Sequence, residues 1–106
     1  MARVAITDGD GAWFNISSAE RYDEKTYWNG SNHISKATGS QLEHECLFLT
    51  KVGKFILNHW SQCQGGVETY KLISKSCETA WFVIQEFSDD EIPEILKDDV
   101  LSLEIK

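Results

Sequence analysis

The chain has 106 residues, 42% of them hydrophobic and 25% charged, which fits one globular domain over residues 1–106 and excludes a disordered chain. Its formal net charge is −7 and its ten basic residues form no stripe, so direct nucleic-acid binding is disfavoured, because such binding requires neutralisation of phosphates. No apolar stretch reaches membrane-spanning length and the first residues lack the apolar region of a secretion signal, so we expect a cytoplasmic protein without membrane contact.

The N-terminal part of the chain predicts a hairpin, a helix and a long loop. Residues 3–16 read as two alternating strands around the turn DGDG. A short helix over 18–27 follows, because Ser17 and Glu20 have the spacing of a capping box and acidic residues crowd the first turns. Residues 29–42 are rich in Gly, Asn and Ser, and they predict a long loop of the kind that often carries function.

A strand pair is predicted at ECLFLT and KFILNHW, and the turn between them decides which side chains share a face. A two-residue loop would place Cys46 opposite His59 and gather them with His44 as a possible zinc site. That loop needs positive φ at Val52, which a β-branched residue resists. A three-residue loop with glycine in the left-handed position fits better and sets Glu45 opposite His59, so we predict no metal and no cofactor. The same register predicts an apolar face made of Leu47, Leu49, Phe55 and Leu57.

The second half of the chain predicts a third strand and one main helix. Residues 67–73, VETYKLI, read as the strand, and the helix covers residues 75–87. Ser88 and Glu91 form a weak capping box, and the alternating VLSLEI at 100–105 predicts a short closing strand. The predicted fold is therefore α+β, an antiparallel sheet of three to five strands with one main helix packed on a face. The helix residues expected against the sheet are Cys77, Ala80, Trp81, Ile84 and Phe87.

Few residues in the sequence carry chemistry of their own. Glu45 and His59 have the elements of an acid–base couple, but they also read as an ordinary charged pair at the end of a sheet, since no nucleophile accompanies them. Cys63 lacks a neighbouring base or cation that would activate its thiol. Three cysteines without a C-x-x-C motif fit reduced thiols. No phosphate loop, nucleophile elbow or zinc-protease motif occurs.

The segment HWSQCQGG at residues 59–66 reads as a recognition surface, because tryptophan offers rigid contact area and glutamine offers adaptable hydrogen bonds. The alternative is that Trp60 belongs to the core and the glutamines only turn the chain. The 29–42 loop enters one strand of the pair and this segment leaves the other, so both are expected at the same end of the sheet. The candidate binding residues are Trp28, Asn32, His33, Gln41, Glu45, His59, Trp60, Gln62 and Gln64.

Three stretches of the chain resemble a loose set of small bacterial proteins, some of them carried on phages or plasmids. They are TGSQLEHE at 38–45, LNHWSQCQGGVETY at 57–70 and AWFV at 80–83, and the resemblance spans residues 28–84. The resemblance implies a setting on a mobile element. It brings no established activity, so it assigns no functional residue. Cys63 stands where the similar chains favour an aromatic residue, which argues against a functional thiol.

We therefore expect a non-enzymatic interaction or regulatory module that binds a protein partner. Two alternatives stay open: an acidic mobile-element inhibitor that mimics nucleic-acid charge, and a small hydrolase or thiol enzyme using His59. A charge mimic should array its carboxylates on one face with little apolar surface there. An enzyme should show a pocket converging on His33, His44 or His59. The identity of the partner and the oligomeric state are left open by the sequence.

Overall fold

The computed structural model describes residues 2–63 and 65–106. Within those ranges the chain forms eight short strands and two helices. Single 3₁₀ turns lie at Ile16–Ser18, Asp89–Glu91 and Glu94–Leu96. The elements are β1 (Arg3–Ala5), β2 (Trp13–Asn15), β3 (Glu20–Asp23), β4 (Thr26–Trp28), β5 (His33–Ser35), β6 (Glu43–Leu49), β7 (Phe55–Ser61), β8 (Thr69–Leu72), α1 (Lys75–Ile84) and α2 (Lys97–Ser102).

Four strands form the main antiparallel sheet, in the order β3-β6-β7-β8, and the others make the small hairpins β1-β2 and β4-β5. The β1-β2 hairpin is the one predicted from the DGDG turn, and it reverses through Asp8, Asp10 and Gly11, all with positive φ. This sheet with one main helix confirms the predicted α+β class. No helix in the described ranges has the length and apolar character needed to cross a membrane.

The turn between β6 and β7 has the three-residue form that the sequence predicts. The Thr50 N–H donates to the Lys54 carbonyl at 2.9 Å, and Gly53 has a φ of 87°, where a side chain would be strained. Glu45 consequently pairs with His59, as predicted. The two-residue alternative is wrong, because Cys46 lies opposite Asn58 rather than opposite the histidine.

Alternate residues of β6 and β7 point to opposite faces of the sheet, and each face has its own core. We call the face covered by α1 the helix face and the face covered by β1-β2 the hairpin face. The apolar residues predicted to share a face, Leu47, Leu49, Phe55 and Leu57, all lie on the helix face. The buried helix-face core is Leu47, Phe55, Trp81, Phe82, Ile92 and Leu96. The buried hairpin-face core is Phe14, Cys46, Phe48 and Ile56.

The helix predicted over 18–27 is wrong, because β3 and the start of β4 occupy most of that range. Side-chain capping here occurs only at the preceding 3₁₀ turn Ile16–Ser18, where Asn15 Oδ1 accepts the Ser17 N–H at 3.1 Å. Pairing with β6 lets Tyr22 pack edge-on against Phe82, with ring centroids 5.3 Å apart. Burial of such a ring contributes about 1.5–3 kcal/mol, more than the ~1 kcal/mol of a helix cap, so the sheet prevails.

The main helix ends at Ile84 rather than at residue 87, and its buried face differs in part from the prediction. Trp81 is buried as predicted, whereas Cys77 is exposed and Ile84 is 68% exposed. Gln85 is fully buried instead: its Oε1 accepts the Lys25 N–H at 2.9 Å and its Nε2 donates to the Trp81 carbonyl at 3.0 Å. Apolar spacing does not reveal such a residue, because its burial depends on a partner far along the chain. Ala80 and Phe87 are partly buried.

The C-terminal segment contains one confirmed prediction and one wrong one. The capping box is present, with the Ser88 N–H donating to Glu91 Oε1 at 3.0 Å. The closing strand predicted at 100–105 does not form, because α2 covers the start of that range. Leu96 and Val100 are four residues apart and both belong to or contact the helix-face core. The positions that pack on the core therefore follow the helical period, although apolar and polar residues alternate over 100–105.

Candidate functional site

The open end of the β6-β7 pair brings together the two segments that the sequence singles out. Glu43 pairs with Ser61 where the strands end, and the Gln62 N–H donates to the Leu42 carbonyl at 2.8 Å just beyond them. A cleft of about 390 Å³ opens here, and we call it the polar cleft. The 29–42 segment and the segment after β7 therefore meet, as antiparallel pairing requires. The 29–42 segment is not one long loop as predicted, because its residues 33–35 form strand β5 by pairing with β4. The residues that line the cleft are Asn32, His33, Gln41, Leu42, His44 and Gln62.

The β4-β5 hairpin places an exposed aromatic ring beside this cleft. Trp28 pairs with His33 across the hairpin, their ring centroids are 5.0 Å apart, and the indole is 60% exposed. The tip is held by its own bonds, because Asn29 Oδ1 accepts the N–H groups of Ser31 at 2.9 Å and Asn32 at 2.8 Å. Trp28 is thus presented on an ordered turn, next to a histidine that lines the cleft.

His44 lies at the inner side of the cleft and is fixed by a carboxylate. Its Nδ1 is 2.6 Å from Glu24 Oε2, and both side chains are largely buried. The ring also stacks on Trp60 of the hairpin face at a centroid distance of 5.6 Å. His44 Nε2 is buried near the Gln62 side chain and the Gln41 backbone, without a well-aligned hydrogen bond to any residue in 2–63 or 65–106.

Glu24 is a site residue that the sequence analysis missed. Beyond His44, it accepts the Ser35 hydroxyl at 2.7 Å and the Glu45 backbone N–H at 2.7 Å, both on Oε1. One carboxylate therefore ties β5 and β6 together beneath the cleft. In the sequence YDEK this glutamate reads as one more acid in a helical first turn, and only the pairing of β3 with β6 reveals its role.

The protonation of His44 is coupled to this arrangement. Burial acts to lower the pKa of His44, but the hydrogen bond with Glu24, with support from the Gln62 side chain and the Gln41 backbone, outweighs it and raises the pKa above its usual 6.5. The folded state thus favours the imidazolium. Its contribution to stability is present below the unfolded pKa and is lost as the pH rises through the folded value.

The long loop is held down by serine and threonine side chains. Ser35 Oγ accepts the N–H groups of Ala37 at 3.1 Å and Thr38 at 3.2 Å, and Thr38 Oγ1 donates to the Glu43 carbonyl at 2.8 Å. Ser40 Oγ accepts the N–H groups of Leu42 at 3.0 Å and Glu43 at 3.2 Å. Across the described ranges, no backbone group receives a hydrogen bond from the side chains of the cleft amides, which are Asn32, Gln41 and Gln62.

Glu45, His59 and Trp60 are candidate residues that lie outside the polar cleft. Glu45 is on the helix face, where its Oε1 accepts the Trp81 Nε1–H at 3.1 Å. Burial raises the pKa of Glu45, and this effect exceeds the lowering caused by the Trp81 hydrogen bond and the His59 charge. His59 Nε2 is 3.5 Å from Glu43 Oε2, so the histidine approaches a different acid from the one opposite it. Trp60 is partly buried against the hairpin-face core. Gln64 lies outside the described residues.

The polar cleft offers hydrogen bonds rather than reactive groups. Its lining has amides, imidazoles and one leucine, without a hydroxyl, thiol or carboxylate among the residues described there. Within residues 2–63 and 65–106 no group of three or more His, Cys, Asp and Glu could hold a metal ion. Cys46 is fully buried, which raises the pKa of its thiol to about 11, and Cys63 is exposed.

No family model matches the chain, and neither does any curated protein or solved structure. The resemblance over residues 28–84 stays a prediction. Function is therefore inferred from the fold and from the polar cleft.

Proposed function

We propose that the protein is a non-enzymatic interaction module, and that it binds a protein partner through the polar cleft and the adjoining Trp28 ring. The observation that carries this proposal is that the cleft amides are not used to hold the loop. That work is done by Ser35, Thr38 and Ser40, so the Asn32 amide is available to a partner, and the Gln62 amide, which also supports His44, is not committed to the loop.

The chemistry of this surface suits a protein better than an ion or a charged polymer. Neutral amides form adaptable hydrogen bonds with a polypeptide backbone, and tryptophan is enriched among the residues that dominate binding energy. Leu42 in the cleft and Trp28 beside it add exposed apolar area. Binding here would bury rigid groups at small entropic cost, because the hairpin tip is already ordered by Asn29.

The two alternative functions are less well supported. A charge mimic needs carboxylates on a face with little apolar surface. The acidic segment that follows α1 instead also exposes Ile95, Leu101 and Ile105. The polar cleft does take in His33 and His44, as an enzyme would require. His44 Nε2 is buried, however, and the described lining offers no nucleophile for it to activate.

The proposed setting is the cytoplasm of a bacterium, with the gene on a mobile element. This setting rests on the resemblance over residues 28–84. It agrees with three cysteines that form no disulfide in the structure.

Photo-crosslinking tests the proposed surface directly. A photoreactive phenylalanine analogue is placed at position 28 or, as control, at position 84, where Ile84 is similarly exposed on α1. In cells of the native host, position 28 should trap one defined protein that position 84 does not. The trapped protein is then purified and its affinity measured by titration calorimetry.

The affinity should depend on the cleft. Trp28→Ala and Gln62→Ala should each weaken binding, the first by about 30-fold or more if the ring is a hot spot, while the melting temperature stays within about two degrees. Ile84→Ala should bind as the unaltered protein does. Unchanged binding by both cleft variants, or a melting temperature lowered by several degrees with binding intact, would show that this end is structural.

A further inference from the structure

A second and larger cleft lies at the opposite end of the sheet, next to the turn between β6 and β7. Its volume is about 550 Å³, and we call it the apolar cleft. Val52 in its wall is 83% exposed, and Trp13 and Leu72 are about half exposed. Exposed apolar surface gathered in one concave place marks an interaction site. The apolar side chains larger than alanine that line it are Ile6, Trp13, Phe14, Val52, Ile56 and Leu72.

Positive charge surrounds this cleft although the chain as a whole carries −7. Lys51 and Lys54 line it, and neither forms an ion pair with a residue of the described ranges. The Arg3 guanidinium lies 4.5 Å above the Trp13 ring at the same end. An occupant that fits must therefore combine apolar side chains with negative charge.

The chain itself contains a segment of that composition, DDVLSLEI at residues 98–105. Leu101 and Leu103 are more than half exposed and Ile105 is 97% exposed. Asp98 and Glu104 flank these apolar residues, so the segment offers apolar side chains and carboxylates together. We call residues 98–105 the acidic tail.

The acidic tail packs on the opposite face of the sheet from its own apolar cleft, although Ile95, just before the tail, reaches the Gly53 turn that borders the cleft. Helix α2, which begins the tail, contacts the helix-face core through Val100 and packs against α1. The apolar cleft opens on the hairpin face, where Phe14 and Ile56 form its floor. The sheet stands between the two, so a contact between them joins two molecules.

We propose that the apolar cleft binds the acidic tail of a second copy of this chain. Leu101, Leu103 and Ile105 supply the apolar contact, and Lys51 and Lys54 pair with the tail carboxylates. The contact is head-to-tail, because it uses different surfaces on the two molecules. Such a contact does not end at two copies, and it builds rings or open chains as the protein concentration rises. A short segment buries little area, so the affinity lies in the micromolar range and falls as salt rises.

Sedimentation equilibrium of paired variants tests this proposal. The unaltered protein should show an average mass that rises with concentration from a few micromolar to about 1 mM. A cleft variant, Val52→Asp with Leu72→Asp, and a tail variant, Leu101→Asp with Ile105→Asp, should each stay monomeric. An equal mixture of the two should form dimers that grow no further, because only one intact cleft and one intact tail remain per pair.

All four altered side chains are more than half exposed, so the variants should fold, which their melting temperatures verify. Ile84→Asp is the matched control, since it places the same charge at an equally exposed apolar position outside both surfaces. That variant should associate as the unaltered protein does.

Three results would overturn the proposal. A monomer across the whole concentration range would show that no self-contact forms. Association that survives in both variants, or a mixture that stays monomeric, would show that cleft and tail are not partners. A small amphiphilic acid found bound in native mass spectrometry, and lost in the cleft variant, would give the cleft a different occupant.

Discussion

The two faces of the β6-β7 pair differ in how completely they are covered. On the helix face, the rings of Tyr22, Trp81, Phe82 and Phe87 form a continuous cluster with centroid distances from 5.0 to 5.6 Å. On the hairpin face, two strands of three residues each cover the sheet, and Phe14 is their only buried side chain among the described residues.

This difference separates stability from recognition. A helix with an aromatic cluster closes its face, whereas the short hairpin leaves both ends of the other face open. The polar cleft, which contains His44, lies at one end of the hairpin face, and the apolar cleft, which contains Ile56, lies at the other. We therefore expect the helix face to hold most of the folding free energy and the hairpin face to hold the binding surfaces.

The largest effect is expected on the helix face. Phe82→Ala removes a fully buried ring that contacts three others, so the free energy of unfolding should fall by about 3–5 kcal/mol. Urea unfolding measures this change. Val83→Ala, at the exposed neighbouring position of α1, is the control and should cost less than about 1 kcal/mol. A loss for Phe82→Ala no larger than for the control would mean that this cluster does not anchor the fold.

A smaller effect is expected on the hairpin face. Phe14→Ala also removes a buried ring, but the thin β1-β2 cover can relax around the cavity, so we expect about 2–3 kcal/mol. Urea unfolding under the same conditions gives the comparison. Equal or greater loss than for Phe82→Ala would break the division between the two faces.

The smallest effect is a pH dependence on the helix face. Since burial raises the pKa of Glu45 in the folded state, the folded protein holds that proton more tightly than the unfolded chain does. This carboxyl therefore favours folding at low pH, and its contribution is lost as the pH rises from the unfolded value of about 4.5 through the folded one. Glu45→Gln keeps an acceptor for Trp81 and removes the titration.

The stability of Glu45→Gln relative to the unaltered protein should consequently increase between pH 4 and pH 7. Thermal unfolding of both proteins across that range measures the difference in stability. Both proteins contain His44, so its titration contributes equally and cancels. Glu104→Gln, at an exposed position near the chain end, should show a flat difference. A flat profile for Glu45→Gln as well would show that the carboxyl is effectively hydrated.

The sequence predicted the parts of the fold that local chemistry decides. The register of β6 and β7 follows from the conformations open to Val52 and Gly53, and both residues lie within the turn that they determine. The strand β3 was missed because its stabilising contact, Tyr22 on Phe82, joins residues that are far apart in the chain. Leu101 and Leu103 alternate with polar residues but are exposed, while Leu96 and Val100, which pack on the helix-face core, are four residues apart.

The candidate site divides in the same way. The meeting of the loop with the segment after β7 follows from antiparallel pairing, which the sequence predicted. The bond between Glu24 and His44 could not be predicted, because it requires the path of the chain between β3 and β4. Glu45 and His59 pair across the strands as predicted, yet their side chains turn to Trp81 and Glu43, which no pairing rule specifies.

The β4-β5 hairpin is attached to the rest of the molecule at its base. Ser35 bonds to Glu24 there, and Lys25 bonds to Gln85 and, through its Nζ at 2.6 Å, to Glu91. The tip with Trp28 lies beyond these attachments, so exchanging its side chains removes little that the fold depends on. Natural selection can therefore alter what the tip recognises almost independently of folding, and the same frame can acquire new partners over evolutionary time without first becoming more stable.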